Sequence, residues 1–420
     1  MDALPPSMKL ERPLGGIERM FWLKNRHTPY HFAVCAEILG EASSAAWIKA
    51  VGAVQQRHPA FSVAIVEDEN GIPWFRQTAG SDRCSLRIVA QEDARWEVEM
   101  ERELALPFDD GRVPLVRVVL VTQSYRTFLI LAAHHSIADT KSLVFALRDM
   151  VQSVAGHSLD PMLPAGSLDS LLQPFETQVA KDGVAFPSPG SLDLYRTIDG
   201  SPPHVSTSNL SEALTSELRR RARKEGTTVH GALVAAAVEA ARLTSPELAV
   251  SPITVGSAVD ARDAVSGGES VALLSAGGSI LIAPEMRDFW KLARHARDCI
   301  LPLKSPEVMA SLMGGLNGFL STPRTVNDIA AFMAGFRFDI NISNLGNLPI
   351  ETRFGGLTVE RLWGPAILAG FAGEQEIGVS TVNGSLSLLH VSHDPLPSFL
   401  RVVRDRLVMA CASESALAAR

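Results

Sequence analysis

The sequence has 420 residues, of which 46% are hydrophobic and 20% are charged, and its formal net charge at pH 7 is −7. This composition is typical of a globular protein and excludes wholesale disorder, while the length exceeds one compact core and predicts two domains or two fused halves. The acidic balance argues against nucleic-acid binding, which needs a dense basic surface to displace counterions.

The cysteines and the start of the chain bear on the compartment. Cys35, Cys84, Cys299 and Cys411 are far apart and form no CxxC pair, so neither a zinc site nor a disulfide framework is predicted. The opening MDALPPSMKLERPLGG lacks the apolar core of a secretory signal, and no stretch reaches the roughly 18 apolar residues that span a bilayer. We therefore expect a soluble, cytoplasmic protein with reduced thiols and no metal site.

Residues 1–160, the predicted N-terminal lobe, alternate between helix and strand patterns. A helix around 16–24 precedes the apolar strand HFAVCAEIL, and SSAAWIKAVGAVQQRHP follows with its apolar residues on one helical face. FSVAIVEDENGIPWFRQ predicts a hairpin that turns at Asn70 and Gly71. A helix over about 95–106 leads to a second hairpin, PLVRVVLVTQ with RTFLILAA, and then to a helix whose apolar residues run from Leu143 to Val154.

Residues 161–203 are rich in Pro, Gly and Ser and predict a linker that crosses to the C-terminal lobe, residues 204–420. In that lobe we predict helices over about 211–224 and 228–243, strands in ITVGSAV, SILIA and FDINIS, and a helical region over 285–320. The hairpin GVSTVNGSLSLLHV and a helix from Pro397 complete it. The two halves have a similar size and a similar mixture of elements, which predicts an α/β fold of two lobes.

The stretch LAAHHSIADT places His134, His135 and Asp139 between an apolar strand and a helix. The spacing HxxxD alone is weak evidence, because His390 and Asp394 in HVSHD have it too. Strand ends are nevertheless where α/β proteins position reactive side chains, and consecutive strand residues point to opposite faces. One histidine can therefore face a cleft as a general base while the other is structural; the alternative is that both are structural.

Asp139 needs a partner if the strand-to-helix turn is buried. Arg262 in VGSAVDAR follows an apolar strand of the second half and is a candidate for a bidentate ion pair that ties the halves together. The alternative is that Asp139 only caps its helix and that Arg262 is solvated.

Several segments together resemble a known superfamily. HHSIADT resembles the HHxxxDG signature of condensation domains and polyketide-associated acyltransferases, and VDAR, ISNLG, PLGGIERMFWL and QQRHPAF resemble further segments of related acyltransferases. The resemblance covers nearly the whole chain. It implies the chloramphenicol acetyltransferase-like fold: two lobes, each a mixed β-sheet covered by helices (an α+β sandwich), with the active-site tunnel between them.

The sequence departs from the family pattern at two positions. Thr140 stands where the signature has glycine, which removes no reactive group. Ser62 stands where many condensation domains have a second arginine after the one matched by Arg57. This departure favours Arg262 as the partner of Asp139, and a free-standing acyltransferase over an amide-forming condensation domain.

The resemblance implies a role for each motif residue. His135 would be the general base that prepares an acceptor hydroxyl for attack on an acyl thioester without a covalent acyl-enzyme, His134 would be structural, and Asp139 would orient the loop through Arg262. Acyl-CoA or an acyl carrier protein would be the co-substrate, an alcohol of a secondary metabolite or lipid the acceptor, and no other cofactor is implied. An oxyanion donor is also required, and Ser343 and Asn344 in NISNLGN are candidates, unless this stretch only packs the lobes together.

Three functions stay open at this point: an O-acyltransferase, an amide-forming condensation enzyme that acts on carrier-bound substrates, and a non-catalytic scaffold with the same fold. The basic run RRRARK at 219–224 fits an acidic carrier protein or coenzyme A phosphates, and equally a solvated helix face. His230, His390 and His393 are interpreted as packed or strand-end residues.

Overall fold

The structure, a computed structural model, describes residues 9–78, 82–109, 113–176 and 186–412. Residues 1–8 of the predicted N-terminal lobe, residues 177–185 of the predicted linker and residues 413–420 lie outside this part of the chain.

Strands account for three sheets in the described residues. In chain order they are β1 (Arg12–Pro13), β2 (His31–Leu39), β3 (Val63–Glu67), β4 (Pro73–Gln77), β5 (Ser85–Ala90), β6 (Val116–Gln123), β7 (Arg126–His134), β8 (His204–Leu210), β9 (Ile253–Asp260), β10 (Ser275–Ile282), β11 (Ile340–Asn347), β12 (Arg353–Phe354), β13 (Leu357–Ile367), β14 (Gln375–Val382) and β15 (Ser385–Ser392).

The helices cover these sheets. In chain order they are α1 (Gly16–His27), α2 (Ser44–Arg57), α3 (Trp96–Ala105), α4 (Thr140–Val154), α5 (Leu168–Leu172), α6 (Glu212–Lys224), α7 (Val229–Thr244), α8 (Arg262–Val265), α9 (Phe289–Ile300), α10 (Pro306–Leu320), α11 (Val326–Ala334) and α12 (Phe399–Cys411). Short 3₁₀ turns lie at Pro59–Ser62, Gln173–Phe175, Leu192–Leu194 and Leu301–Lys304.

The first large sheet has the strand order β12-β13-β2-β7-β6-β5. Its central strand β2 is buried along almost its whole length, and β7 pairs with it antiparallel so that His134 lies opposite His31. Helices α2 and α4 pack against one another, and α4 also packs on β2 and β7. The sheet therefore brings the end of β7, with the histidine doublet, to the middle of the molecule.

The second large sheet has the strand order β10-β9-β11-β14-β15-β8, with β11 parallel to both of its neighbours. Helix α7 is almost fully buried and packs against α9 and α12 beside this sheet. The hairpin of β14 and β15 turns at Asn383 and Gly384, both of which have positive φ, as an Asn-Gly hairpin turn requires. The mixed sheets and their helical layers give the two-lobed α/β fold that the sequence predicts.

Strand β13 links the two sheets, although it belongs to the second half of the sequence. It pairs with β2 in the first sheet and lies against β14 of the second, where the Ser380 hydroxyl donates to the Leu362 carbonyl at 2.6 Å. The backbones approach closely at Gly378, where an added Cβ would lie 2.0 Å from the Pro365 carbonyl oxygen. Glycine at this position therefore allows the contact between the sheets.

Candidate active site between the halves

The histidine doublet stands at the end of β7, and the two rings have different environments. His134 is fully buried, and its Nδ1 accepts a hydrogen bond from the Ser136 backbone N–H at 3.1 Å. A ring nitrogen that accepts has no hydrogen, so neutral His134 has its hydrogen on Nε2. The bond to Ser136 holds the turn that follows the strand.

His135 points its ring to the other side, among the rings of Phe21, Tyr30 and Phe32, whose centroids lie 4.7, 5.3 and 4.7 Å away. Its Nδ1 lies 3.0 Å from the Ala138 carbonyl oxygen, which can only accept a hydrogen bond. Nδ1 therefore donates, and the lone pair of the neutral ring is on Nε2. Burial lowers the pKa of His135, against the opposing effect of the Ala138 bond, so the ring is in its basic form at neutral pH.

Asp139 caps α4 and also joins the two halves of the chain. Its Oδ1 accepts from the Ser142 N–H and its Oδ2 from the Leu274 N–H, both at 2.9 Å, and Arg262 Nη1 donates to Oδ2. Arg262 Nη2 donates to the Ser142 hydroxyl at 2.8 Å. Burial opposes ionisation of Asp139, but the Arg262 charge and these hydrogen bonds outweigh it and hold the pKa of Asp139 below its ordinary value. Helix α4 begins at Thr140, so threonine is accommodated where the signature has glycine.

Further ion pairs hold the end of β9 and the segment between β9 and β10 against α4. Lys141 Nζ lies 2.7 Å from an oxygen of Asp260, and Arg148 donates to both carboxylate oxygens of Glu269 at 2.7 Å. The junction between β7 and α4, which carries His135, is thus fixed from both halves of the chain.

Arg57, matched to the first arginine of the condensation pattern, does not contact Asp139. Its Nε donates to Asp149 Oδ2 at 2.7 Å, and His58 Nε2 lies 2.9 Å from the same oxygen. Asp149 accepts from Arg148 as well, so this second buried carboxylate organises the face of α4 that packs on α2.

A cavity of about 240 Å³ opens beside His135, and both halves of the chain line it. One wall is apolar and formed where α1 meets α10 and α11; it includes Ile17, Met20, Met313, Leu316, Phe332 and Phe336. The polar residues of the lining include Tyr30, His135, Ser257, Asn341, Ser343 and Glu376. The cavity therefore combines a base with an apolar chamber.

The two candidates for an oxyanion donor separate in the structure. Ser343 is buried and lines the cavity together with His135. Asn344 is not among the lining residues, and its Oδ1 accepts from the Gly346 N–H at 2.9 Å, which stabilises the chain at the end of β11. The structure therefore brings Ser343 to the cavity with His135 and leaves Asn344 outside the lining, at an irregularity in the pairing of β11 with β14.

Glu376 is a cavity residue that the sequence analysis missed. It is 2% exposed, and its Oε2 accepts from the Asn341 amide. Burial raises the pKa of Glu376 to about 8; the Asn341 bond opposes this rise and the neighbouring charge of Glu374 adds to it. The available signal was a glutamate inside the otherwise apolar and small-residue run QEIGVSTV, which becomes the wholly buried strand β14.

The remaining singled-out histidines are held by neighbours. His230 Nε2 lies 2.9 Å from the hydroxyl of Ser257. Ser257 lines the cavity and His230 does not, so His230 contacts the lining from outside. His390 Nε2 lies 3.0 Å from Gln375 Oε1, and burial lowers the pKa of His390 to about 3. His393 is half-buried and lines a small separate pocket.

The basic run on α6 forms ion pairs along its own helix. Arg220 pairs with Glu217 at 2.6 Å and Arg221 with Glu225 at 2.9 Å. Within residues 9–78, 82–109, 113–176 and 186–412, no group of three or more His, Cys, Asp or Glu side chains has a metal-binding arrangement. None of the helices in this part of the chain is long and apolar enough to cross a bilayer.

Two family models match the chain. Residues 18–160, which include the histidine doublet and Asp139, match the condensation domain, and residues 199–287, which include Arg262, match the phthiocerol/phthiodiolone dimycocerosyl transferase C-terminus. No curated protein sequence matches the chain.

Solved structures share the fold along nearly the whole chain. Polyketide synthase associated protein 5 from Mycobacterium tuberculosis is 17% identical with a TM-score of 0.66, over 98% of this chain and 100% of that one. Trichothecene 15-O-acetyltransferase from Fusarium sporotrichioides is 13% identical with a TM-score of 0.67, over 98% and 99% of the two chains. The first condensation domain of the CDA synthetase is 16% identical with a TM-score of 0.69, over 96% and 97%. The two family matches lie at both ends of the Asp139–Arg262 pair, and these solved structures show that the chain has the chloramphenicol acetyltransferase-like fold of condensation domains and polyketide-associated acyltransferases.

Proposed function

We propose that this protein transfers an acyl group from an acyl thioester to the hydroxyl of a small-molecule acceptor, with His135 as the general base. The observation that carries the proposal is the state of His135. Its Nδ1 donates a hydrogen bond to the Ala138 carbonyl oxygen, so the free lone pair is on Nε2. The ring itself lines the cavity. A general base needs such a fixed tautomer, because it must accept the proton at one defined ring nitrogen.

The chemistry follows from that lone pair. Nε2 of His135 takes the hydroxyl proton as the acceptor oxygen forms a bond to the thioester carbon, and negative charge develops on the carbonyl oxygen. When the C–S bond breaks, the thiolate leaves with its electron pair and takes the proton from His135, which returns to its neutral state. The acyl group passes directly to the acceptor, and no covalent acyl-enzyme is formed.

The apolar wall at α1, α10 and α11 supports an apolar substrate. A phenylalanine pair, Phe319 and Phe332, stacks at 4.3 Å behind it, and Phe332 itself lines the cavity. Burying an alkyl chain against such a wall contributes about 0.8 kcal/mol per methylene group. The donor in this proposal is acyl-CoA or an acyl carrier protein, and the protein needs no resident cofactor.

Amide formation on a carrier-bound amine is the second candidate, because residues 18–160 match the condensation domain. The same base and cavity serve an amine as well as a hydroxyl. The two candidates differ in the acceptor that is consumed, and a non-catalytic scaffold differs from both in that it turns over nothing.

The test is free-thiol release from acyl-CoAs of increasing chain length, with alcohols and with amines, for the native protein and His135→Ala. We expect alcohol-dependent release that falls by about 10²-fold or more in His135→Ala while the melting temperature is kept. His230→Ala is the matched control, because His230 is also a partly buried histidine beside the cavity but is not among its lining residues. Release that is equal in native protein and His135→Ala would refute the proposal, and turnover with amines alone would favour the condensation candidate.

A further inference from the structure

Glu376 enters the cavity wall from β14, on the side formed by the second half of the chain. Its carboxyl group is buried, Oε2 accepts from the Asn341 amide, and Oε1 has no hydrogen-bond partner among the described residues. A buried polar atom without a partner is costly and therefore rare in native proteins. Because Glu376 lines the cavity, a ligand there can supply the missing partner.

The neighbours of Glu376 decide which protonation state the carboxyl group has. No lysine or arginine forms an ion pair with it in the described part of the chain; the titratable groups near it are Glu374 on the same face, Tyr30, and His135 in the cavity lining. Lys24 is nearer to Glu374 and acts on that carboxyl. Burial and the Glu374 charge raise the pKa of Glu376 to about 8, so its neutral form dominates at pH 7.

A neutral carboxyl group has one accepting oxygen and one O–H. Since Oε2 accepts from Asn341, the hydrogen belongs on Oε1, which makes Glu376 a hydrogen-bond donor. The polar lining residues otherwise offer hydroxyls and amides as donors, and an acid with a pKa close to the working pH is a stronger donor to a developing oxyanion than these groups are.

We propose that Glu376 is a catalytic residue of the acyl transfer: its Oε1–H donates a hydrogen bond to the acyl carbonyl oxygen as negative charge develops there. This role rests on the proposed function. In the step, His135 removes the acceptor proton, the new C–O bond forms, and the electron pair of the carbonyl π bond moves to the oxygen that Glu376 holds. The proton stays on Glu376, and the pair returns to the carbonyl when the C–S bond breaks.

Two variants of the full-length protein test this role by thiol release from the best acyl-CoA and alcohol, at pH 6 to 10. Glu376→Leu removes the donor, and we expect kcat to fall by about 10²-fold with a much smaller change in KM. Glu376→Gln keeps an N–H donor that cannot titrate. In the native protein activity should decline above about pH 8 as Glu376 ionises, and in Glu376→Gln that alkaline decline should disappear.

Glu374→Gln is the matched control, because Glu374 is also buried on the same face but is not among the cavity-lining residues. Its carboxylate accepts from the Gly370 and Ala369 N–H groups at 2.7 and 3.1 Å. Removing its charge lowers the pKa of Glu376, so the alkaline decline should persist and move to lower pH.

The outcomes separate the two proposals. A folded Glu376→Leu with native kcat, or an alkaline decline that is the same in Glu376→Gln, would overturn the role of Glu376 while leaving acyl transfer by His135 intact. Absence of acyl-dependent thiol release from the native protein would overturn both. A loss of kcat in Glu376→Leu together with loss of the alkaline limb in Glu376→Gln would support the role, since a merely structural residue does not set a pH limit.

Discussion

Each half of the chain contributes a buried carboxyl group at or near the cavity, and the surroundings shift the pKa values of the two groups in opposite directions. Asp139, in the first half and at the end of the turn that carries His135, accepts hydrogen bonds from the Arg262 guanidinium and from the N–H groups of Ser142 and Leu274. Glu376, in the cavity wall from the second half, meets the Asn341 amide and the Ser343 hydroxyl but forms no ion pair with a described lysine or arginine. The pKa is lowered in the first case and raised in the second, although burial acts in the same direction on both.

The difference separates a structural role from a reactive one. A carboxylate that is fully hydrogen-bonded within the protein has no oxygen available to a ligand. Its bonds instead fix the position of the elements that carry its partners. A carboxyl group with a missing partner is destabilising in the free protein and is available to a ligand. The contacts of Asp139 therefore fit a structural anchor, whereas those of Glu376 fit the reactive role proposed for it.

Arg262→Ala tests the anchored side and should have the largest effect. The variant leaves Asp139 charged, buried and without its ion-pair partner, since Arg262 is 5% and Asp139 4% exposed. We expect the free energy of unfolding to fall by about 3–5 kcal/mol, measured by thermal or urea unfolding at pH 7. Activity should fall as well, because the turn that carries His135 ends at Asp139 and is held by this pair.

Arg262→Ala with Asp139→Asn is the control for that loss. Removing the charge from both partners should recover part of the lost stability, because the buried charge is then gone. The loss in Arg262→Ala should also shrink at acidic pH, because burial without the Arg262 charge makes Asp139 take up a proton at a higher pH in the variant than in the native protein. Equal melting temperatures for native protein and Arg262→Ala would contradict the assignment of this pair as the anchor.

Glu376→Gln tests the opposite side and should stabilise the protein. Because the folded-state pKa of Glu376 is raised to about 8, the native protein loses stability as the pH rises from about 4, where the unfolded glutamate ionises, to about 8. The amide has no such dependence. We expect the variant to match the native protein near pH 4 and to exceed it by about 1–3 kcal/mol at pH 8, measured by thermal unfolding across that range.

The pH dependence makes this prediction specific. Lys24 has a pKa lowered to about 7 by burial, and this contributes stability that grows with pH between about 7 and 10, in the native protein and the variant alike. It therefore cancels in the difference between the two proteins. A difference in stability that stays constant from pH 4 to pH 8 would mean that Glu376 is already ionised in the folded protein.

The surroundings of Asp139 could be predicted from the sequence because each of their features is visible within one short segment. An apolar strand, the doublet at its end, the aspartate that caps the next helix and an arginine after a second apolar strand are all visible in short segments. The Asn383-Gly384 turn of the last hairpin was visible for the same reason.

The cavity wall that contains Glu376 depends on strands that pair although they are far apart in the sequence, and no short segment reveals such pairing. Strand β13 contains Gly364-Pro365, a pair that ordinarily marks a turn, and its partner β2 lies more than three hundred residues earlier in the chain. The register between β13 and β2 shifts between Trp363 and Ala366, which is how the strand accommodates that pair. Helix α11 was also missed, although Thr325 and Asp328 form a capping box at its start. The position of Glu376 in the cavity follows only once these elements are in place.

Lys141→Ala tests an ion pair at the edge of the contact formed by Asp139 and Arg262, and it should have the smallest effect on stability. The ion pair of Lys141 with Asp260, at 2.7 Å, lies two residues away along the chain from Asp139 and Arg262 and joins the same two halves, but its side chains are 24% and 25% exposed. Water screens the attraction and ordering a lysine side chain costs entropy, so we expect a loss of about 0–1 kcal/mol. A double-mutant cycle with Asp260→Ala isolates the pair from other effects of either substitution. A coupling energy as large as that between Asp139 and Arg262 would mean that many ion pairs together hold the two halves. A small coupling energy would mean that the buried pair next to His135 contributes most of the attachment.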